Sequence, residues 1–199
     1  MLAARGRLMQ EACDATRGGM LSLIGLADDA VFKIAAQAQV SVANLNSPGQ
    51  IVLSGAADAI QAAEKLAKEA GAKRALRLPV AGAYHSPLMQ SAADGLRQVL
   101  QGVTFKAPAF PVYSNVTGKP HGGPDEIRDL MVRQVTSSVQ WIATIQGFKA
   151  SGVTRYVEFG PGAVLTGLVK RMDETAALLN VSDVPALVKA VATAARSAV

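Results

Sequence analysis

The order of apolar and amphipathic segments between Met20 and Val80 is the feature that most constrains how this chain folds. An apolar run predicts the first strand, and a stretch rich in Ala, Glu, Lys and Leu predicts the second helix. Ser47-Pro48-Gly49 has the residues of a tight turn between two strands. The predicted strands cover residues 20–26, 40–44, 50–54 and 73–80, and the predicted helices cover 28–38 and 57–70. This β-α-β-β-α-β order is typical of a ferredoxin-like subdomain.

Strands and helices alternate in the rest of the chain, which predicts a parallel α/β layer. The predicted strands cover residues 112–115, 155–159 and 177–181, and the predicted helices 1–16, 87–100, 125–135, 140–150, 163–172 and 184–196. We therefore expect an α/β fold in which residues 1–18 and 81–199 form the body and residues 19–80 form the inserted ferredoxin-like subdomain. The body is expected to be incomplete, because it begins with a bare helix and has few strands.

Composition and charge exclude several classes of protein. Hydrophobic residues make up 50% of the 199, which suits a packed core, and no apolar stretch reaches the roughly 20 residues that span a bilayer. The single cysteine, Cys13, cannot form an internal disulfide and fits a cytoplasmic protein. The net charge of +5 favours an acidic partner. Because the basic residues are dispersed and aromatic residues make up only 5%, we expect no nucleic-acid interface.

His85 is the strongest candidate for acid–base chemistry. Ser86 and Pro87 are favourable helix-capping and first-turn residues, so the sequence places His85 just before a helix. The positive end of the helix dipole disfavours imidazolium, and a neutral imidazole can accept a proton from a nucleophile. A solvated or capping loop histidine remains the alternative. The other histidine, His121, is expected to be an exposed loop residue.

Three further features have both a functional and a structural interpretation, and a metal site is not expected. Arg5, beside Gly6, can bind a carboxylate through two N–H groups or be a solvated helix residue. Cys13 can pair with His85 as the nucleophile of a hydrolase or be a small core residue. Gly160-Pro161-Gly162 can bind phosphate or provide tight strand-to-helix packing. One cysteine and two separated histidines do not form a metal site.

Taken together, several short motifs resemble one known family. They occur in the same order as in the malonyl-CoA:acyl carrier protein transacylases of bacterial fatty acid synthesis, and the resemblance covers essentially the whole chain. The motifs are Arg5-Gly6-Arg7-Leu8-Met9-Gln10, Asn44-Leu45-Asn46-Ser47-Pro48-Gly49-Gln50, Gly82-Ala83-Tyr84-His85-Ser86-Pro87-Leu88-Met89, Val132-Arg133-Gln134 and Glu158-Phe159-Gly160-Pro161-Gly162.

The resemblance implies a fold and a reaction. The fold would be an α/β-hydrolase-like body with a parallel sheet and an inserted ferredoxin-like subdomain. A serine on a Gly-His-Ser-x-Gly elbow would take the malonyl group from coenzyme A and pass it to the phosphopantetheine thiol of acyl carrier protein. No cofactor is implied beyond the coenzyme A thioester itself, which is the substrate. The expected partners are malonyl-CoA and acyl carrier protein, with no nucleic acid and no membrane.

The resemblance also implies roles for particular residues. His85 would be the general base, and the main-chain carbonyl of Gln134 would hold its ring in the productive tautomer. Arg5 would pair with the malonyl carboxylate, while Asn46 and Asn115 would lie near the acyl pocket. Tyr84, before the histidine, resembles an aromatic residue that leaves little room for an α-methyl group. The candidates for docking the acidic carrier protein are Lys73, Arg74, Arg77, Lys170 and Arg171.

One departure from the family pattern changes the expectation for activity. The sequence contains no Gly-x-Ser-x-Gly, so the nucleophile and the oxyanion hole of the family are both missing. We therefore expect a fragment of a longer enzyme that does not transfer malonyl groups by itself. The alternatives are a non-catalytic carrier-protein-binding module and the hydrolase that uses Cys13 and His85.

Overall fold

The computed structural model describes residues 1–196, which divide into two compact units. The first unit is Met1–Thr144 and the second begins at Ile145. Helix α6, Trp141–Ala150, contains the point at which the division falls. None of the helices within residues 1–196 combines the length and apolarity needed to cross a bilayer.

The first unit contains the predicted β-α-β-β-α-β order. Its elements are α1 Leu2–Ala15, β1 Gly18–Ile24, α2 Asp28–Gln37, β2 Ser41–Ser47, β3 Gln50–Ala56, α3 Ala57–Glu69, β4 Arg74–Arg77, α4 Gln90–Gln101 and α5 Pro124–Arg133. A short 3₁₀ turn, Pro87–Met89, precedes α4. The strands form one sheet in the order β2-β3-β1-β4, and each neighbouring pair is antiparallel.

Both faces of this sheet have buried residues. Leu21, Leu23, Ile51 and Leu53 are essentially inaccessible to solvent and belong to the core formed with α2 and α3. Met20, Ala43 and Val52 occupy the alternate strand positions, which face the other side of the sheet. They form a smaller cluster against which Tyr84 packs. A two-residue period therefore gives β1 two buried faces. The second face supports the loop that leads to His85, because Tyr84 of that loop packs against it.

A second core lies between α1 and α4. Ala12 and Cys13 of α1 pack with Met89, Leu96 and Leu100. The two helices approach closely at Gly95, where an added Cβ atom would lie 2.5 Å from a methyl carbon of Leu8. This packing fixes α1 beside the segment that carries His85.

The structure corrects three details of the predicted elements. Strand β4 covers only Arg74–Arg77 instead of residues 73–80, and Pro79, which lacks an N–H group, follows shortly after it. The strand predicted over residues 112–115 is a single bridge between Tyr113 and Pro120, in a segment interrupted by prolines. The helix predicted over residues 87–100 is 3₁₀ at Pro87–Met89 and α-helical only from Gln90.

The second unit is a strand–helix–strand arrangement. Its strands β5 Arg155–Phe159 and β6 Ala177–Val181 are parallel, which confirms the predicted parallel pairing, and α7 Val164–Met172 connects them. The last helix, α8, covers Val184–Arg196. No residue of β5 is buried, and Phe159 is 72% exposed. The first unit combines helices with an antiparallel sheet, and the second unit combines helices with a parallel pair of strands. The chain therefore has an α/β fold with mixed strand directions.

Candidate active site

The loop that holds His85 is closed by local hydrogen bonds. The Ser86 hydroxyl donates to the Ala83 carbonyl over 2.6 Å and accepts from the Leu88 N–H over 3.3 Å. This confirms the predicted cap at Ser86 and the predicted first-turn position of Pro87. The backbone at His85 is left-handed, with φ of 59°. Histidine adopts this region more often than most residues other than glycine, but the conformation still costs free energy.

Two main-chain carbonyls orient the His85 ring. The Nδ1 atom lies 2.9 Å from the Gln134 oxygen and 3.0 Å from the Ser137 oxygen. Because both neighbours are acceptors, Nδ1 carries the proton in the neutral ring, and Nε2 keeps the lone pair that can accept one. The contact with Gln134 is the one that the family resemblance implies. The contact with Ser137 was missed, because any residue can offer a carbonyl and no side-chain pattern marks it.

The electrostatic surroundings of His85 favour the neutral imidazole. Burial lowers its pKa below the ordinary value. The carbonyls of Gln134 and Ser137 act in the opposite direction, and the positive charge of Arg5 lowers the pKa further. The sequence predicted a neutral ring because of the helix dipole. The structure gives burial as the main cause, with Arg5 as an additional one.

Arg5 is the candidate that the sequence offers for binding a carboxylate. It lies on α1, is half-buried, and acts electrostatically on His85. Its Nε atom is shielded from solvent and has no hydrogen-bond partner among the described residues. A buried N–H group without an acceptor is costly, so an incoming carboxylate would satisfy it.

The segment Ser137–Gln140 joins several of the predicted site residues. The Ser138 hydroxyl donates to the Val42 carbonyl, and Val139 exchanges main-chain hydrogen bonds with Ala43 and Leu45 over 2.8 and 2.9 Å. The N–H of Gln140 donates to the Asn115 carbonyl over 2.7 Å. Because the Ser137 carbonyl contacts His85, this segment connects the imidazole to strand β2 and to the Asn115 loop.

An open groove of about 520 Å³ lies beside His85. Its polar wall is formed by Ser41, Arg133, Thr136, Ser138 and Gln140. Arg5, Asn46 and Asn115 do not line it.

Asn46 is half-buried at an irregularity of β2, and Asn115 is exposed, with its main-chain carbonyl bound to Gln140. The structure therefore places the Gln134 carbonyl against the His85 ring and the positive charge of Arg5 within electrostatic range of it, while Arg5, Asn46 and Asn115 all lie outside this groove.

Tyr84 and Cys13 contact each other. The Tyr84 ring packs against both core clusters of the first unit that adjoin the loop, and its hydroxyl interacts with the Cys13 thiol. Tyr84 does not line the groove beside His85. Cys13 is buried, and its recorded polar contact is with Tyr84. The geometry thus favours the core interpretation of Cys13 over a nucleophile paired with His85.

The structure also shows the surroundings of His121 and of the candidate docking residues. His121 is half-buried, which corrects the expected exposed loop residue, and its Nδ1 atom is shielded without a hydrogen-bond partner. Among the residues the structure describes, no group of three His, Cys, Asp or Glu side chains is placed to hold a metal ion. The docking candidates in both units are exposed, and Arg77 forms an ion pair with Glu64 over 2.7 Å.

The Gly160-Pro161-Gly162 turn precedes a helix whose first N–H groups are already occupied. The Glu158 carboxylate accepts from the N–H groups of Leu165 and Thr166 over 3.1 and 2.8 Å, and from the Thr166 hydroxyl over 2.6 Å. The hydrogen bond from the Thr166 hydroxyl, followed by that from its N–H, lowers the pKa of Glu158. A side-chain carboxylate thus stands where a phosphate would bind, which favours the packing interpretation.

The sequence and the fold of this chain are similar to those of several known proteins. The malonyl CoA-acyl carrier protein transacylase of Escherichia coli K12 is 45% identical over 179 residues, covering 88% of this chain and 58% of the relative. The crystal structure of an acyl carrier protein S-malonyltransferase from Vibrio cholerae is 44% identical, with a TM-score of 0.89 and coverage of 94% and 62%.

A further solved structure is a type II polyketide synthase acyl-carrier protein in complex with its malonyl-transacylase. It is 41% identical with a TM-score of 0.89, covering 94% of this chain and 62% of that one. The chain thus spans about three fifths of the length of the relatives it matches. Residues 1–194 match the family described as the acyl transferase domain. Because this match runs over nearly the whole sequence, the chain belongs to the acyl transferase domain family.

Proposed function

We propose that this chain supplies the base and the carboxylate-binding residue of a malonyl-CoA:acyl carrier protein transacylase. The reaction moves a malonyl group from coenzyme A to the phosphopantetheine thiol of the carrier protein. The observation that carries the proposal is the His85 ring, whose Nδ1 atom lies within 3.0 Å of two carbonyl oxygens while burial and Arg5 lower its pKa. These features favour a neutral imidazole that accepts a proton at Nε2.

In this reaction His85 would act twice. It would take the proton of the nucleophilic hydroxyl as that oxygen attacks the thioester, and return it to the departing coenzyme A thiolate. It would then deprotonate the carrier-protein thiol as that sulfur attacks the acyl-enzyme ester, and return the proton to the departing oxygen of the nucleophile. The carbonyls of Gln134 and Ser137 would keep the ring oriented and stabilise the imidazolium that forms at each step. Such acid–base assistance contributes about 10²–10⁴-fold in rate.

Arg5 would select the substrate. A malonyl thioester differs from an acetyl thioester by a free carboxylate, which the half-buried guanidinium can bind through two N–H groups. The unpaired Nε atom supports this role. For Asn46 and Asn115, a place near the acyl pocket rests on the family resemblance alone. The same is true of Tyr84 as a limit on α-substituted substrates.

The finer fold assignment belongs to the same proposal. The sheet order β2-β3-β1-β4 with two helices on one face supports a ferredoxin-like subdomain over residues 19–80. Residues 1–18 and 81–199 would form the α/β-hydrolase-like body. Because the 199 residues contain no Gly-x-Ser-x-Gly, we propose that the nucleophilic serine comes from polypeptide outside this sequence.

The partners follow from the reaction. An acidic carrier protein suits a chain with a net charge of +5, and the five exposed docking candidates are Lys73, Arg74, Arg77, Lys170 and Arg171. The reaction needs no cofactor beyond the coenzyme A thioester, and it fits a cytoplasmic location. A non-catalytic carrier-protein-binding module is the alternative. Saturable binding of acyl carrier protein by a chain that shows no preference for malonyl-CoA would favour it.

The first test is substrate binding by the purified chain. We expect calorimetry to detect tighter binding of malonyl-CoA than of acetyl-CoA, and Arg5→Gln to remove the difference while Arg5→Lys keeps part of it. Arg7→Gln is the matched control, because Arg7 is an exposed arginine of the same helix and is paired with Glu11. Equal affinity for the two thioesters in the unaltered chain would contradict the role of Arg5.

The second test is transfer activity. The purified chain is expected not to move malonyl groups to carrier protein, because it has no serine elbow. In a longer product of the same gene that contains an in-frame Gly-His-Ser-x-Gly, we expect transfer, and we expect His85→Ala to reduce its kcat by about 10²–10⁴-fold. Unchanged acyl exchange in that His85→Ala variant would rule out the proposed base.

A further inference from the structure

The backbone at His85 needs support from its surroundings. A residue other than glycine in the left-handed region persists only where other contacts hold it. The capping bonds of Ser86 act on the C-terminal side of His85. The N-terminal side, Gly82–Tyr84, must therefore be held by something else, and the contacts there involve α1.

Gly82 lies directly against Cys13. A Cβ atom added to Gly82 would be 2.4 Å from the Cys13 Sγ atom, well inside contact distance. The next residue, Ala83, is fully buried. A Cβ atom added to Gly18 would lie 2.7 Å from the Cβ atom of Ala83. The loop is therefore wedged between the Cys13 thiol and the first residue of β1.

Tyr84 adds a polar contact to the same thiol. Its ring packs against the cluster that contains Cys13 and against the cluster formed by Met20, Ala43 and Val52. Burial, followed by the interaction of its hydroxyl with the Cys13 thiol, raises the pKa of the phenol. The thiol thus contacts both the first residue of the loop and the residue directly before His85.

We propose that Cys13 is a positioning residue for His85. Cys13 supports Gly82 and Tyr84 by packing against both, and so fixes the imidazole against the carbonyls of Gln134 and Ser137. The inference rests on the proposed function only in giving His85 the role of base, since the chain of contacts exists independently of it. Helix α1 would then serve the site twice, through the Arg5 charge and through the Cys13 thiol.

The test is the titration of His85 in Cys13 and Tyr84 variants, followed by NMR of the imidazole nitrogens. The sequence has only two histidines, so His121→Gln assigns the His85 signals. We expect Cys13→Ala and Tyr84→Phe each to move the His85 pKa and the Nδ1 chemical shift. Cys13→Ser, which keeps a polar partner for Tyr84, should restore most of the original values. In the Tyr84→Phe background, Cys13→Ala should have a smaller effect than it has alone.

The matched control is Tyr156→Phe, which removes a second partly buried phenol, in the other unit, and should leave the His85 titration unchanged. Circular dichroism identifies any variant that fails to fold. If Cys13→Ala does not fold, the His85 titrations of Cys13→Ser and Tyr84→Phe provide the test. An unaltered His85 titration in the folded Cys13→Ala and Tyr84→Phe proteins would overturn the inference. This result is separate from malonyl-CoA binding, which tests the proposed function through Arg5.

Discussion

The Ser138 hydroxyl donates a hydrogen bond to the main-chain carbonyl of Val42, across 96 positions in the sequence. This contact fixes the segment Ser137–Gln140 along strand β2, next to the bridge between Asn44 and Val139. Since the preceding carbonyl, that of Ser137, contacts His85, the orientation of the imidazole depends on how this segment lies on the sheet.

Replacing Ser138 with alanine should therefore affect both stability and the histidine. We expect Ser138→Ala to lower the free energy of unfolding by about 1 kcal/mol, the usual loss for one hydrogen bond. It should also change the NMR signals of His85. Thr136→Ala is the control, because the hydrogen bond that its hydroxyl donates to the Arg133 carbonyl is local. Equal effects of the two variants on His85 would contradict this role of Ser138.

The lowered pKa of His85 predicts how stability depends on pH. The unfolded chain takes up the proton near the ordinary value of about 6.5, while the folded chain takes it up only at lower pH. The unfolded state thus binds more protons between these two values, so stability is full above pH 6.5 and is lost as the pH falls through the folded pKa. Urea denaturation across this range should show the decrease.

The His85→Gln variant should lack this part of the pH dependence. The His121→Gln variant should retain it, because His85 is still present and still prefers to be neutral when folded. If both variants lose the dependence on pH equally, or neither does, His85 is not its source.

The close approach of Gly82 to Cys13 predicts a costly substitution. We expect Gly82→Ala to lower the free energy of unfolding by about 1–3 kcal/mol, the typical range for overpacking a core. Cys13→Ala should relieve part of this cost, because it removes the Sγ atom that the new methyl group would meet. Gly102→Ala is the control, since no atom lies within 4 Å of the added Cβ there. Denaturation of the double variant measures the coupling.

The exposed apolar residues of the second unit predict binding of hydrophobic dyes. Phe159 is 72% exposed, at the end of a strand in which no residue is buried. Phe159→Ser should reduce the fluorescence of a bound dye while changing the unfolding free energy by less than about 0.5 kcal/mol, because the ring is exposed. Phe110→Ser removes an equally exposed ring, 71%, from the first unit. Dye fluorescence that falls more in that variant would place the binding surface elsewhere.

The sequence predicted those parts of the structure that depend on local rules. The cap at Ser86 and the first-turn proline at Pro87 follow from residue preferences at helix ends. The strand and helix order of the first unit follows from periodicity and turn residues. The strand predicted over residues 112–115 is wrong, because an apolar residue such as Tyr113 in an extended stretch does not by itself ensure a neighbouring strand to pair with.

The parts that sequence could not predict depend on contacts between distant segments. The second acceptor for His85 is a main-chain carbonyl, which every residue has, so nothing distinguishes Ser137 in advance. The burial that lowers the His85 pKa appears only after α1, the loop and Ser137–Gln140 have assembled. The expected place of Asn46 and Asn115 near the acyl pocket stays a prediction.

The left-handed backbone at residue 85 is costly for folding, and it lies at the residue that we propose as the base. Glycine would adopt this conformation without strain, and asparagine with little, but neither side chain can accept a proton near neutral pH. A search for sequences that maximise stability alone would therefore replace the histidine. An engineer who wishes to make this domain more robust should leave residue 85 unchanged and strengthen the contacts around it.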